Sequence, residues 1–246
     1  MCGRYALHSS PEVIALQFGL QTTPSWPPRY NIAPTALAPI VRMAAKGGRE
    51  MAIARWGLIP SWAKDMAIGA KMNNARAETV AEKPAFRAAF RRRRCLIPAD
   101  GWYEWKEEGG RKQPYFIYLR ENPIAGLAGL WEEWISPDGS PIETYAVVTT
   151  DANADAAEVH DRMPVIVGAE QQALWLEGEV KEASKLLHPL PPGQLKFHRV
   201  DRRMSAARVD DAGCIQAVAE PKVEVKRETS KESRRETDTE RQGRLI

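Results

Sequence analysis

Residues 95–119 read CLIPADGWYEWKEEGGRKQPYFIYL. Three strand-like runs stand in this stretch: Cys95–Ile97, Trp102–Lys106 and Tyr115–Leu119. Gly109-Gly110 separates the last two, a turn signal between β-prone runs. Downstream the pattern continues with Leu127–Ile135 and Thr144–Thr150, punctuated by Pro137-Asp138-Gly139. Upstream, Leu37–Met43 and Met51–Trp56 flank Gly47-Gly48 and read as a hairpin. Short strands joined by tight turns predict antiparallel sheets. Helices fill the rest. Ser9-Ser10-Pro11-Glu12 reads as a capping box opening a helix to Phe18. Further helices are expected over residues 83–92 and 151–160, and two short ones within 169–187. Met163–Val167 reads as a strand. Residues 22–34 hold four prolines and read as loop, and residues 60–74 as irregular.

The chain has 246 residues and is 43% hydrophobic, enough for one domain with a real core. The net charge of +3 is modest, and from Glu220 onward eight Lys/Arg stand against seven Asp/Glu. Bulk charge therefore does not announce nucleic-acid binding, and any such signal must be local. The segment 220–246 mixes both charges with Ser and Thr and is expected to be a disordered tail. Three cysteines, with no CxxC, fit neither a disulfide framework nor a zinc site and suit a reducing cytoplasm. No apolar stretch follows a basic start as in a signal peptide, and the longest apolar runs are far too short to span a bilayer.

The N-terminus reads Met1-Cys2-Gly3-Arg4. A small second residue lets methionine aminopeptidase remove Met1 and leave Cys2 as the terminus. An α-amine titrates near 7.7–8.0 and a thiol near 8.5, so roughly neutral pH leaves some free amine. An aldehyde can form a Schiff base with that amine, and the neighbouring thiol can close a five-membered thiazolidine. The alternative is a cysteine that merely happens to be second.

Other segments carry two readings each. Asn74-Ala75-Arg76-Ala77-Glu78-Thr79 offers an amide for an amine or thiolate and an arginine for a phosphate, or else caps the next helix. In Trp102-Tyr103-Glu104-Trp105, alternation puts Trp102 and Glu104 on one face and Tyr103 and Trp105 on the other. Partial burial would raise Glu104 toward neutrality, suiting an acid/base, unless it is a surface glutamate on an edge strand. His160-Asp161-Arg162 supplies an imidazole and a cation, or else a helix-terminal histidine. Arg91–Arg94 is a phosphate patch or a solvated helix end. Trp56 to Trp62 is a stacking surface for bases or core.

Taken together and in order, Met1–Tyr5, Tyr30–Pro34, Arg55–Trp62, Asn74–Thr79, Cys95–Lys106, Gln113–Tyr118, Val147–Thr150 and His160–Pro164 resemble the SOS-response-associated peptidase (SRAP) family of abasic-site processing proteins. The resemblance implies a single α+β domain over residues 1–219, with barrel-like twisted antiparallel sheets and surrounding short helices. It implies that Cys2 forms a thiazolidine with the ring-opened abasic sugar in single-stranded DNA. Asn74 would position the Cys2 terminus, Glu104 would act as acid/base, and His160 would assist ring opening and Schiff-base formation. Arg4, Arg76 and Arg162 would contact phosphates, and Pro34 and Trp105 would pack against bases beside the lesion. No metal or organic cofactor is implied, no oligomer is demanded, and the place of work would be the cytoplasm and its nucleoid. Residues 200–215 depart from the family pattern, and no role is carried over there. Two rivals stay open: a thiol peptidase or autopeptidase built on Cys2 and His160 with Glu104 or Asn74 as third member, and a non-covalent binder of single strands.

Overall fold

The computed structural model describes residues 2–23 and 25–219, so the expected disordered tail lies outside the described residues. Twelve strands run in chain order: β1 (Arg4–Leu7), β2 (Arg29–Ile32), β3 (Leu37–Met43), β4 (Arg49–Trp56), β5 (Asn74–Arg76), β6 (Arg94–Ala99), β7 (Gly101–Glu108), β8 (Arg111–Leu119), β9 (Ala125–Ile135), β10 (Pro141–Asp151), β11 (Arg162–Pro164) and β12 (Leu195–Arg199). The β7–β8 hairpin turns on Gly109 and Gly110, at φ 55° and 72°. Both left-handed positions are required by the two-residue turn whose twist matches the strands.

The strands make two sheets. In the first, β12, β8, β7, β1 and β2 lie side by side, all antiparallel. In the second, β10, β4, β3, β6 and β9 succeed one another, and β9 pairs back onto β10. That return closes a five-stranded barrel. The expected α+β class with barrel-like sheets therefore holds, with one refinement. β10 runs parallel to β4 at Thr144–Arg55 and to β5 at Val147–Asn74 through Thr149–Arg76. β4 and β5 thus share one flank of β10, and β11 pairs with β10 at Thr149–Asp151.

Alternation assigns the faces of the first sheet as the sequence predicts. Tyr5, Leu7, Trp102, Tyr115 and Ile117 belong to the main core against the barrel. Ala6, Tyr103 and Phe116 belong to a smaller cluster closed over by Val200, Met204 and Cys214. The two sheets are joined by aromatics. Tyr5 and Tyr145 share a hydrogen bond between their hydroxyls at 2.7 Å, and Trp56 stacks on Tyr145. The Trp56 indole donates to the Asn73 carbonyl at 2.8 Å. A fully buried Trp56 therefore anchors the residue just before Asn74.

Some local expectations shift. The helix Pro11–Phe18 is capped by Ser10, because Ser9 Oγ is drawn to Asp100. Within residues 22–34, β2 occupies the proline-free span Arg29–Ile32. The helix expected over 83–92 is regular only from Arg87 to Arg92. The one over 151–160 shrinks to Ala154–Ala157, because Asp151 completes β10 and Asn153 caps the shortened helix. β12 has no counterpart among the expected strands, and the expected strand Met163–Val167 is reduced to β11 and a bridge from Ile166 to Leu127. In the arginine run, Arg94 is buried and donates to the carbonyls of Trp175, Phe90 and Gly178, while Arg93 pairs with Glu132. Only Arg91 and Arg92 are exposed.

Candidate active site

The candidate site forms where the ends of β5 and β10 and the start of β11 meet β1 and β7. Asn74 opens β5, so its backbone is fixed by the parallel ladder to Val147. Its Nδ2 donates to the Cys2 carbonyl at 2.9 Å. The Asn74 Oδ1 is buried and accepts no hydrogen bond among the described residues. A buried acceptor left unmade is costly, which favours a donor arriving there when the site is used.

Cys2 is fully buried, and its Sγ lies 4.0 Å from the Arg4 carbonyl. Burial is the main reason its thiol is pushed well up, and the Glu104 charge pushes the same way. In a chain that retains Met1, the Cys2 nitrogen is a peptide amide and no nucleophile.

Glu104 sits mid-strand on β7 and is 2% exposed. Its carboxyl is raised from 4.5 to about 7, chiefly by burial. A carboxyl poised there can both give and take a proton near neutral pH. His160 Nε2 lies 3.9 Å from Glu104 Oε2, just beyond direct hydrogen-bonding distance. The imidazole is held below its ordinary value mainly by burial. Arg162 N–H donates to His160 Nδ1 at 3.0 Å, so the neutral ring carries its proton on Nε2, facing Glu104. The Asp161 carboxylate also approaches Nδ1, at 2.9 Å, and would favour the opposite tautomer. That side chain is 87% exposed, and the backbone donor has the better claim.

The expected strand-contacting residues divide. Arg76 is exposed on β5. Arg4 is half-buried, with Nη1 on the Gly3 carbonyl at 3.0 Å and Nη2 on the Ser205 carbonyl at 3.4 Å. Trp105 is half-buried, and its indole donates to Ser205 Oγ at 3.1 Å. Pro34 is half-buried and precedes Thr35, the sole described non-glycine residue with positive φ, at 74°. A β-branched residue there is strained.

Arg162 is not the open cation that the sequence suggests. Its two terminal nitrogens donate to both Glu78 oxygens at 2.7 and 3.1 Å, to Asp151 Oδ1 at 2.6 Å and to the Thr149 carbonyl at 2.8 Å. All four of their protons are used, so a phosphate must displace a carboxylate. Glu78 and Ser205 are the residues to which sequence reasoning assigns no role. Glu78 lies inside the Asn74–Thr79 segment, where its charge beside Arg76 is a signal. Ser205 lies in the divergent 200–215 region, which offers none. Among the described residues, no cluster of three His, Cys, Asp or Glu could hold a metal, and no helix is long and apolar enough to cross a membrane.

The family model described as SOS response associated peptidase (SRAP) matches residues 1–207. The chain belongs to the SRAP family. This SRAP chain is 37% identical over 224 residues to abasic site processing protein YoqW of Bacillus subtilis, spanning 88% of this chain and all of that one. It is 31% identical over 265 residues to abasic site processing protein HMCES of Xenopus tropicalis, spanning 89% of this chain and 78% of that one. Its fold matches a crystal structure of a Bacteroides thetaiotaomicron protein with a TM-score of 0.79 at 27% identity, covering 89% of this chain and 100% of that chain. A Bordetella bronchiseptica structure matches with a TM-score of 0.73 at 27% identity, over 81% and 100%.

Proposed function

We propose that this chain recognises abasic sites in DNA and processes them by covalent capture on Cys2, acting on single-stranded DNA as a monomer in the cytoplasm. Removal of Met1 frees the α-amine. The amine attacks the aldehyde carbon of the ring-opened sugar, and the resulting carbinolamine loses water to give an imine. The thiol then adds to the imine carbon while its proton passes to nitrogen, closing the thiazolidine. Glu104, poised near neutrality, delivers and takes up the protons of dehydration and closure, with His160 Nε2 as its neighbour. Asn74 holds the Cys2 carbonyl and so orients both nucleophiles. Arg4 and Arg76 contact phosphates directly, Arg162 does so after Glu78 yields, and Pro34 and Trp105 pack on flanking bases. An imine that escapes ring closure permits β-elimination, which would be a lyase activity.

The observation that supports this reading most directly is the convergence on Cys2: an amide on its carbonyl and a buried carboxyl, raised toward neutrality, whose charge acts on its thiol. The relatives' names, abasic site processing proteins, support its abasic-site part. A general cysteine peptidase fits less well. Burial pushes the Cys2 thiol up, and His160 faces Glu104. Any peptidase activity would be limited to exposing Cys2.

The test is a denaturing gel of the protein with a single-stranded oligonucleotide carrying one abasic site, with the N-terminus checked by mass spectrometry. A band resistant to denaturation is expected with abasic DNA only, and Cys2→Ala is expected to abolish the stable product. No such band from a protein beginning at Cys2 would overturn covalent capture. Equal affinity for intact and abasic strands would then favour simple strand binding.

A further inference from the structure

Two side chains of the proposed strand surface meet at one residue. Arg4 pairs with Tyr103 across the β1–β7 ladder, so Arg4, Tyr103 and Trp105 share the face of the sheet turned away from the barrel. Residues 200–215 cover that face. The short 3-10 turn Arg202–Ser205 ends there with Ser205 between the two side chains. Its hydroxyl accepts from the Trp105 indole at 3.1 Å, and its carbonyl accepts from Arg4 at 3.4 Å.

The turn is fixed from beneath. Asn31 is 1% exposed, and its amide donates to the carbonyls of Met204 at 2.7 Å, Ala206 at 3.3 Å and Val209 at 2.7 Å. The Asp210 carboxylate accepts from the backbone N–H groups of Tyr30 at 2.5 Å and Asn31 at 2.8 Å. Ser205 itself is exposed. An exposed serine carried on a buried hydrogen-bonded scaffold has a fixed position relative to β1 and β7. An indole tied to such a point loses less freedom when a base stacks on it.

We propose that Ser205 is a positioning residue of the strand-binding surface, holding the Trp105 indole and the Arg4 guanidinium together so that a stacking plane and a phosphate-binding cation meet the strand as one unit. The inference rests on the proposed function, because it takes single-stranded DNA as the occupant. It adds a contact to the site from residues 200–215, to which the family resemblance carries over no role.

The test compares Ser205→Ala, Ser205→Thr and Trp105→Phe, alone and combined, by fluorescence anisotropy with an intact single strand and by crosslinking rate against abasic-strand concentration. Ser205→Ala is expected to raise the half-saturating concentration about three- to tenfold, with a smaller effect on the limiting rate. Threonine, which keeps the hydroxyl, should restore binding. In a Trp105→Phe background the alanine should have no further effect, because phenylalanine has no N–H to hold. The Trp105 indole N–H resonance should shift in Ser205→Ala and return in Ser205→Thr. An unchanged half-saturation, or an alanine effect that persists undiminished in the Trp105→Phe background, would overturn the proposal. A wild-type protein that binds strands but forms no crosslink refutes the covalent reading alone, and its anisotropy arm still judges Ser205. A wild-type protein that binds no strand refutes both.

Discussion

Replacing Glu104 with glutamine keeps the shape of the side chain and removes its titration. In the folded protein the carboxyl lies at about 7, against an ordinary 4.5, mainly because it is buried. The folded state therefore holds a proton that the unfolded state releases between these values. For a raised carboxyl this contribution to stability is full below 4.5 and is lost as pH rises through about 7. With the side chain 2% exposed, solvent screening takes little away. Between pH 5 and pH 8 the wild type should lose about 2 to 3 kcal/mol that Glu104→Gln does not lose. For a chain of this size that corresponds to roughly 5–10 °C in relative Tm. Urea unfolding of both proteins at both pH values, with matched N-termini, measures the difference of differences. Subtracting the variant removes the other titrating groups. Curves that stay parallel within about 0.5 kcal/mol would refute the claim that burial holds this carboxyl near neutrality. The same substitution should slow crosslinking, because the proton donor is gone.

Three further outcomes rest on particular contacts. Glu78→Gln should strengthen single-strand binding severalfold in anisotropy by freeing Arg162, while changing stability by less than about 1 kcal/mol, since the glutamate is 47% exposed; weaker binding would mean that Glu78 orients Arg162 instead of blocking it. Asn31→Ala should cost about 2 kcal/mol in urea unfolding, because it takes the amide donor from the buried Met204 carbonyl and leaves the Ala206 and Val209 carbonyls only the Val209 N–H and the Cys214 thiol. It should also open residues 200–215 to limited proteolysis, and unaltered digestion would count against the clamp. Thr35→Asn should raise stability by about 1 kcal/mol, since asparagine tolerates a left-handed backbone better than threonine; an unchanged melting temperature would show that the loop relaxes without cost.

Much of this architecture is legible in the chain because it is local. Gly109-Gly110 demands its turn, and alternation through Trp102–Trp105 puts Glu104 and Trp105 on opposite faces, as the two clusters bear out. The burial that raises Glu104 agrees with three aromatics around one carboxylate. Long-range pairings are a different matter. No strand pattern says that β5 will lie parallel to β10, seventy-odd residues away, and the barrel that β9 closes onto β10 is expected only from the family resemblance. The bond between Arg162 and Glu78 spans 84 positions, so an arginine in a recognisable motif reads as free when it is not. Residues 200–215 are silent because their side chains differ from the family pattern, while their contribution at Ser205 is partly a backbone carbonyl, which any side chain would leave in place.

The occupied state of Arg162 also bears on how salt acts on strand binding. Each phosphate newly neutralised on a single strand releases counterions worth a slope of about 0.7 in log K against log salt. Arg4, Arg76 and Arg162 counted as three open cations predict a slope near −2. Arg162 begins neutralised by carboxylates, and a Glu78 released by an incoming phosphate gathers counterions of its own. The exchange is close to neutral in ions. Binding should therefore respond to salt as though two arginines, not three, met the strand, leaving the protein less sensitive to ionic strength than its arginine count suggests.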